Sequence, residues 1–382
     1  MHRGLLILSF LISVSVLIPV EGTCCTSAIF SGKVTADGRP VIWKNRDSGS
    51  EHNRVVYISA GEKVKYSFLY LSNSGTEPAE AWSGINSSGF SIMNTVSYNI
   101  RRPGDDIPEY KMDREGILMY EALSKCATLK EFEEMLDNLE APFGLETNFG
   151  VIDASGGAAY YEVNNYSWIK YDVNESPEGY MIRTNYSFSG RNNQGKGYVR
   201  YDNASQIIRR HLNENNKIDV RFIMDGLSRS YWNYAFGFDP MIVGCSSFED
   251  GYFIPRKSSV AVTIVQGVNP GEDTSECVFW CALGYPPTSV VVPMKVIGGD
   301  LVPEDMTGRG ENNYAPSCEK SLSLKAEVFS TGQGVENQTF MDFNKLRSVL
   351  KEIRKEEDII FNIFAPGFSR EQLKRFYETF EI

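Results

Sequence analysis

Cys24 and Cys25 stand side by side behind a short apolar leader. A cysteine at the first position of a chain is a complete nucleophile. Its thiol attacks carbonyls. Its own α-amine, with a pKa of roughly 7.7–8.0, can take the thiol proton directly or through water. No distant His is then required. An acyl-enzyme forms, and water or another nucleophile releases it. Such a site needs donors for the oxyanion, and an acid or amide partner to hold the amine. Whether residue 25 becomes a first residue depends on what precedes it.

His2 and Arg3 make a weakly positive start, and Leu5 to Val20 is an apolar run of signal-peptide length, short for a membrane span. Gly22 and Cys24 are small enough for the minus-three and minus-one places of a cut after Cys24. The expectation is a signal peptide over 1–24 and a mature, exported chain over 25–382, periplasmic or extracellular. An uncleaved anchor fits the leader less well on length and flanks. A lipid anchor on either cysteine would usually follow an aliphatic residue, and Glu21 stands three places before Cys24. After the leader no apolar stretch of 18 residues recurs, so no membrane span is expected after processing.

The chain has 382 residues, 42% hydrophobic and 23% charged, with a net charge of -11. That describes a folded protein with a sizeable core. It gives no reason to expect nucleic-acid binding. Seven cysteines in a chain this long do not make a disulfide scaffold. Cys277 and Cys281 have no His nearby and read as core or bridge cysteines rather than metal ligands. His52 and His211 read as surface residues. A Cys–His protease built on either is the competing enzyme reading, and a lipid-tethered binding protein without turnover is the competing reading of another class.

The elements that must position a site are many short strands and a few helices. Thr26 to Gly32, Pro40 to Lys44, Val55 to Ser59, Tyr66 to Leu71 and Gly89 to Val96 are β-branched or aromatic runs broken by turn residues. Apolar residues at three-to-four spacing predict helices over Asp113 to Leu139, with Thr128 and Glu131 as a capping box. Asn148 to Val163 reads as a hairpin about DASGG. Helices are expected at Asp202 to Leu212, Val220 to Ser228, Phe340 to Lys355 and Ser369 to Phe380. Buried strands are expected at Ser259 to Val265, Glu276 to Ala282 and Ser289 to Pro293. No repeat or linker interrupts this, so the pattern is α+β layers in one domain. GRNNQGKG, Gly190 to Gly197, mimics a phosphate loop. It lacks the Ser or Thr after Lys196 and a strand running into it, so it reads as a surface loop. Sequons at Asn86, Asn165, Asn174, Asn185, Asn203 and Asn337 are expected by chance and matter only in a glycosylating host.

CTSAIFSGKVTADGRPVIWKNRD, Cys25 to Asp47, resembles the start of the choloylglycine hydrolase family of N-terminal-nucleophile (Ntn) hydrolases, which includes bile salt hydrolases and penicillin V acylases. Cys25-Thr26 matches the opening, and Asn45 with Asp47 matches its N-x-D. The family's Arg falls on Lys44, with Arg46 the nearest arginine. GINSSGFSIMN, Gly84 to Asn94, resembles the segment leading to an oxyanion-hole Asn, here Asn94. MIRTNYSFSG, Met181 to Gly190, resembles the T-N segment, here Asn185. Arg200 in GYVRYDNA matches a second Arg at a spacing closer to the isopenicillin N acyltransferase-like branch, which KSSVAVTIVQG and LGYPPTSVVVPM also resemble.

The resemblance implies a four-layer αββα sandwich and hydrolysis of a linear, non-peptide C–N amide in a small-molecule substrate. It implies Cys25 as nucleophile and Asp47 as the amine's anchor. Asn185 and Asn94 would be oxyanion donors, and Arg46, Lys44 and Arg200 would tune the thiol and the substrate. That chemistry calls for no metal and no cofactor. Acyl transfer to an amine is the runner-up within the same chemistry. The acyl and amine parts of the substrate, and whether the chain is a homo-oligomer, stay open.

Overall fold

The computed structural model describes residues 24–75, 80–331 and 338–379. The leader before Cys24 and the sequon at Asn337 lie outside the described residues. In chain order the strands are β1 (Thr26–Phe30), β2 (Val41–Asp47), β3 (Asn53–Ile58), β4 (Phe68–Asn73), β5 (Ser83–Asn86), β6 (Ser91–Val96), β7 (Thr147–Ile152), β8 (Ala158–Val163), β9 (Trp168–Asp172), β10 (Tyr180–Arg183), β11 (Ser247–Glu249), β12 (Ser259–Gln266), β13 (Val278–Leu283), β14 (Val292–Met294), β15 (Phe329–Thr331) and β16 (Thr339–Asp342). The helices are α1 (Glu115–Lys125), α2 (Leu129–Asp137), α3 (Tyr198–Asn213), α4 (Val220–Phe222), α5 (Glu304–Thr307), α6 (Pro316–Val328), α7 (Phe343–Ile363) and α8 (Arg370–Thr379).

Two antiparallel sheets dominate: six strands in the order β10-β1-β2-β12-β13-β14, and seven in the order β3-β4-β5-β6-β7-β8-β9. Side chains alternate across each strand, and the alternation sorts the core into layers. Ile29, Ile42, Met93, Tyr160 and Val265 pack between the sheets. Ala28, Trp43, Ile264 and Trp280 face the other way, against Ala204 and Ile208 of α3, Ile360 of α7, Phe364 just after it and Phe376 of α8. Phe149, Val151 and Tyr161 of the second sheet pack on Leu123 of α1 and Phe132 and Leu136 of α2. This is the αββα sandwich that the resemblance implies.

Local chemistry explains the boundaries. Thr128 caps α2, its Oγ1 accepting from Glu131 N–H at 3.2 Å. Glu131 reaches back to Ala127 N–H rather than to the cap itself. The helix from Val220 opens as α4 and continues as a π-helical turn over Ile223–Ser228. The helix expected from Phe340 begins only at Phe343, capped by Asp342. Residues 339–342 instead form β16, the middle strand of a small third sheet, β11-β16-β15. All seven cysteines are free, so Cys277 and Cys281 are core residues and not a bridge. Asn86, Asn165, Asn185 and Asn203 are buried to about 1% exposure or less, so their sequons cannot carry a glycan on the folded chain.

Candidate active site

Strand β2 is buried along its whole length, although it ends in Lys-Asn-Arg-Asp. Its neighbours explain this: β1 lies on one side and β12 on the other. Burying four polar residues in a central strand is costly unless each finds a partner, and the partners define the site. Thr26 pairs with Asn45 and Ser27 with Lys44, so one further step puts Cys25 across from Arg46. Ile29 and Ile42 of the same ladder face between the sheets. By alternation Cys25, Lys44 and Arg46 share that inner face, and Asn45 and Asp47 face the helix layer.

On the inner face Lys44 Nζ donates to Trp82 O at 2.7 Å and to Asn94 Oδ1 at 2.8 Å. Arg46 donates to the side-chain oxygens of Asn53 and Asn73 and lies 4.9 Å over the Trp82 ring. None of these acceptors carries charge. Burial pulls Lys44 down to about 8 and Arg46 down to about 10, and for each the Cys25 thiolate is the largest opposing influence. Both cations therefore sense the thiol. Cys25 Sγ itself donates to Asp47 O at 3.8 Å.

On the helix face the Asp47 carboxylate is held from two sides. Arg256 contacts Oδ2 at 2.8–2.9 Å, and Ser259 Oγ donates to Oδ1 at 2.6 Å. The β12–β2 register shifts between Ser259 and Ala261. Such a bulge re-aims side chains at the end of a ladder, here toward Asp47. Arg256 also reaches Cys24 O at 3.4 Å. Arg200 donates to Cys25 O, to Thr26 Oγ1 at 2.7 Å and to Asn185 Oδ1 at 2.7 Å. Burial, then the neighbouring Arg256, lowers Arg200 to about 10. The Cys24–Cys25 linkage thus runs between two guanidinium groups.

Asn185 is fixed through both ends of its amide. Its oxygen accepts from Arg200, and its nitrogen donates to Val96 O at 2.9 Å, which leaves that nitrogen a second N–H. The loop after Asn185 is pinned by Asn99 and Asn148, which bond to Ser187. Asn94 is placed differently. Ile92 packs against α1 and Met93 between the sheets, so alternation puts Asn94 on the helix-facing side of β6. Its nitrogen donates to Thr147 Oγ1 at 3.3 Å. Asn94 therefore stands behind Lys44, which links it to the thiol's surroundings. Asn94 thus touches the cation that adjoins the thiol, and its nitrogen keeps a second N–H, as that of Asn185 does.

The phosphate-loop mimic has a structural use. Gly197, at φ +84°, caps α3, and a Cβ there would lie 2.5 Å from Arg200 Nη2 and 2.9 Å from Thr184. Only glycine lets the Arg200 guanidinium sit this close to the backbone. The two histidines are placed away from this chemistry. His52 stacks on Tyr314 at 3.9 Å, and His211 stacks on Phe222 and bonds to Lys217 O.

Sequence reasoning missed Arg256 and Ser259. The signal was present as FIPRKSSV, an Arg at the mouth of a buried strand, but the pairing with Asp47 spans 209 residues. Among the described residues no group of three or more His, Cys, Asp or Glu is arranged to hold a metal ion. No helix among them is long and apolar enough to cross a membrane.

The family described as acyl-coenzyme A:6-aminopenicillanic acid acyl-transferase matches residues 34–219. That span takes in Lys44, Arg46, Asp47, Asn94, Asn185 and Arg200, and stops before Arg256. Solved structures with similarity include the conjugated bile acid hydrolase of Clostridium perfringens, at 12% identity and TM-score 0.43, covering 71% of this chain and 92% of that one. The Caenorhabditis elegans ortholog of N-acylethanolamine-hydrolyzing acid amidase has 16% identity and TM-score 0.42, covering 63% and 92%. Penicillin V acylase of Agrobacterium tumefaciens has 13% identity and TM-score 0.42, covering 71% and 86%. No curated protein matches the chain. The acyltransferase match runs through β2 and the Asn185–Arg200 segment, the stretch in which the chain is similar to the choloylglycine hydrolase-like Ntn hydrolases.

Proposed function

We propose that the chain is an exported enzyme that cleaves linear, non-peptide C–N amide bonds through an acyl-enzyme on Cys25. The observation that carries this reading is a single thiol at the head of β1, surrounded by Lys44, Arg46 and Arg200, all buried on hydrogen-bond partners without charge. Cations set around a nucleophile stabilise the negative charge that develops as it attacks a carbonyl.

In this reading the Cys24–Cys25 bond is cut and the Cys25 amine becomes free. Asp47, oriented by Arg256 and Ser259, anchors that amine. The amine takes the thiol proton, and Sγ attacks the substrate carbonyl carbon. The carbonyl electron pair moves onto oxygen, where the second N–H of Asn185 can receive it. The pair returns, the C–N bond breaks, and the leaving amine takes the proton. Water, deprotonated by the same α-amine, then attacks the thioester. A carboxylic acid leaves and the thiol is restored.

Acyl transfer is the second reading. It is favoured by the description of the matched family, and in it an amine replaces water in the last step. Product analysis with and without an added acceptor amine separates the two. The mass of the mature N-terminus tests the shared premise. A chain beginning at Cys25 supports it. A diacylglyceryl group on either cysteine points to a tethered binding protein instead. Full amidase activity in Cys25→Ala would sink both enzyme readings, and loss of activity in His52→Ala or His211→Ala would favour a Cys–His protease.

A further inference from the structure

β10 is an end strand of the six-stranded sheet and β9 an end strand of the seven-stranded one. Where these two edges meet α3 lies a cavity of ≈ 1000 Å³, a volume that holds a small organic ligand. Its walls include Tyr171 of β9, Met181 and Arg183 of β10, Phe188 of the following loop, and Tyr201 and Ser205 of α3. Cys25, Lys44, Arg46, Asp47, Asn185 and Arg200 are not among them. Tyr180 and Met181 run beside Phe30 and Ile29, the half of β1 away from Cys25.

Arg183 is the charged group built into the wall, at 1% exposure. Its Nε donates to Glu162 Oε1 and its Nη1 to Ile182 O, both at 2.9 Å. Rings pack around the guanidinium carbon: Phe188 at 4.0 Å, Tyr171 at 4.9 Å and Tyr160 at 5.1 Å. Nη2 has no hydrogen-bond partner among the described residues. Glu162 cannot serve it. That carboxylate also accepts from Phe188 N–H, Ser189 N–H and Ser189 Oγ, so each of its oxygens already takes two bonds. A buried donor without an acceptor is costly, and the open volume beside Arg183 is where an acceptor can enter.

A second cation lies on the same wall. Arg209, one turn along α3 from Ser205, donates to Ser205 Oγ at 3.3 Å. Tyr201 senses both cations: burial raises its phenol, Arg183 is the largest opposing influence, and Arg209 acts in the same direction. Asp172, Glu175 and Glu178 also line the cavity, but none of them is buried. One spare nitrogen and a rim of mixed charge suit a ligand with a single negative charge. Phe188 meets Tyr171 and Tyr201 edge to face, at 84° and 72°, an arrangement that a further ring can extend.

We infer that this cavity binds a small aryl-bearing carboxylate, which accepts from Arg183 Nη2 and lays its ring among Tyr171, Phe188 and Tyr201. Phe188 both stacks on the guanidinium and lines the cavity, and at 48% exposure it can turn aside as the carboxylate enters. This is a second site, apart from the Cys25 reaction and not dependent on it.

The probe is 3-phenylpropionate, titrated calorimetrically into the purified Cys25→Ala chain so that no turnover intervenes. The acid should bind, and 3-phenylpropanol, which lacks the charge, should bind about tenfold more weakly or worse, as loss of a charge-assisted bond to a buried donor implies. Ser205→Trp and Leu212→Trp each fill the cavity from a half-buried position on α3 and should weaken the acid about tenfold or more. Two such variants keep the test decisive if one of them folds poorly. Arg183→Lys keeps a charge beside Glu162 but removes Nη2, and should weaken the acid as well. Lys44→Met in the same background should leave its binding unchanged. No heat at millimolar acid, equal binding of the alcohol, or binding that survives both tryptophan variants would overturn the site. Binding lost in Lys44→Met would overturn it too, by putting the acid at the thiol. None of these results touches the amidase reading, which the kinetics of Cys25→Ala test separately.

Discussion

Arg229 and Lys44 are both buried cations, and the fold treats them in opposite ways. Arg229 sits in the helix layer with two donors on the Glu357 carboxylate, at 2.6 and 2.7 Å, and two more bonds to Pro286 O and Ser289 O. Burial pulls its pKa down, but Glu357 more than reverses this and the net shift is upward. Lys44 sits between the sheets with two uncharged acceptors, and burial carries it down to about 8. A matched charge holds elements together. An unmatched one is a cost that the fold carries, and it lies where a thiolate can use it. Arg183 with Glu162 belongs to the first kind. Arg46 and Arg200 belong with Lys44.

The comparison can be broken most sharply at the thiol. Cys25→Ala should lower amidase activity on the order of 10⁴-fold or more, because the covalent route is lost entirely, while the denaturation midpoint changes little. Next comes the matched pair. Glu357→Leu leaves the buried Arg229 with only the longer contact to Asp225, at 3.2 Å, and should cost up to roughly 3–5 kcal/mol of stability, read from denaturant midpoints, with kcat/KM in the surviving folded chain unchanged. The unmatched cation should behave in reverse. Lys44→Met should lower kcat/KM by about 10- to 100-fold and leave stability at pH 7 unchanged or raised. A fall in stability as large as that of Glu357→Leu would remove the distinction.

Two pH dependences sharpen the same point. The native pKa of Lys44, about 8, lies below its unfolded value. Between those values the unfolded chain binds more protons, so stability rises with pH from about 8 toward 10.5. Below pH 8 the penalty of burying the charge is fully present, about 3 kcal/mol as an order of magnitude. Lys44→Met should flatten the curve in that window. Glu115 titrates on the other side. Burial raises it to about 7, so the native chain binds more protons between its ordinary value and 7, and stability falls as pH rises through that range. Glu115→Gln should flatten that limb. The smallest effect is expected at Gly197→Ala, which crowds Arg200 from the backbone side: a several-fold loss in kcat/KM with about 1 kcal/mol of strain at the left-handed φ, read by kinetics and melting together.

Much of the site was legible because it is local. Cys25 and Asp47 belong to one hairpin, β1–β2, and the polar run at the end of a buried strand is visible in the letters alone. The layered α+β architecture was legible from alternation in the strands and three-to-four spacing in α2 and α7. What was not legible depends on contacts distant in sequence. Arg256 and Ser259 meet Asp47 only because β12 pairs with β2 in a register that shifts at its first residues. The end of the strand at 339–342 was read as helix from Phe340 because a four-residue strand in a small sheet leaves too few positions for a period to show.

The central claim is that Cys25, as a first residue, carries the acyl group. The direct test is peptide mass mapping of the enzyme quenched during turnover of an N-acyl amide. The account predicts an N-terminal peptide beginning at Cys25, with one acyl group released by mild hydroxylamine, as a thioester would be. An acyl group on any other residue, or a catalytically active chain that still retains Cys24, would contradict it.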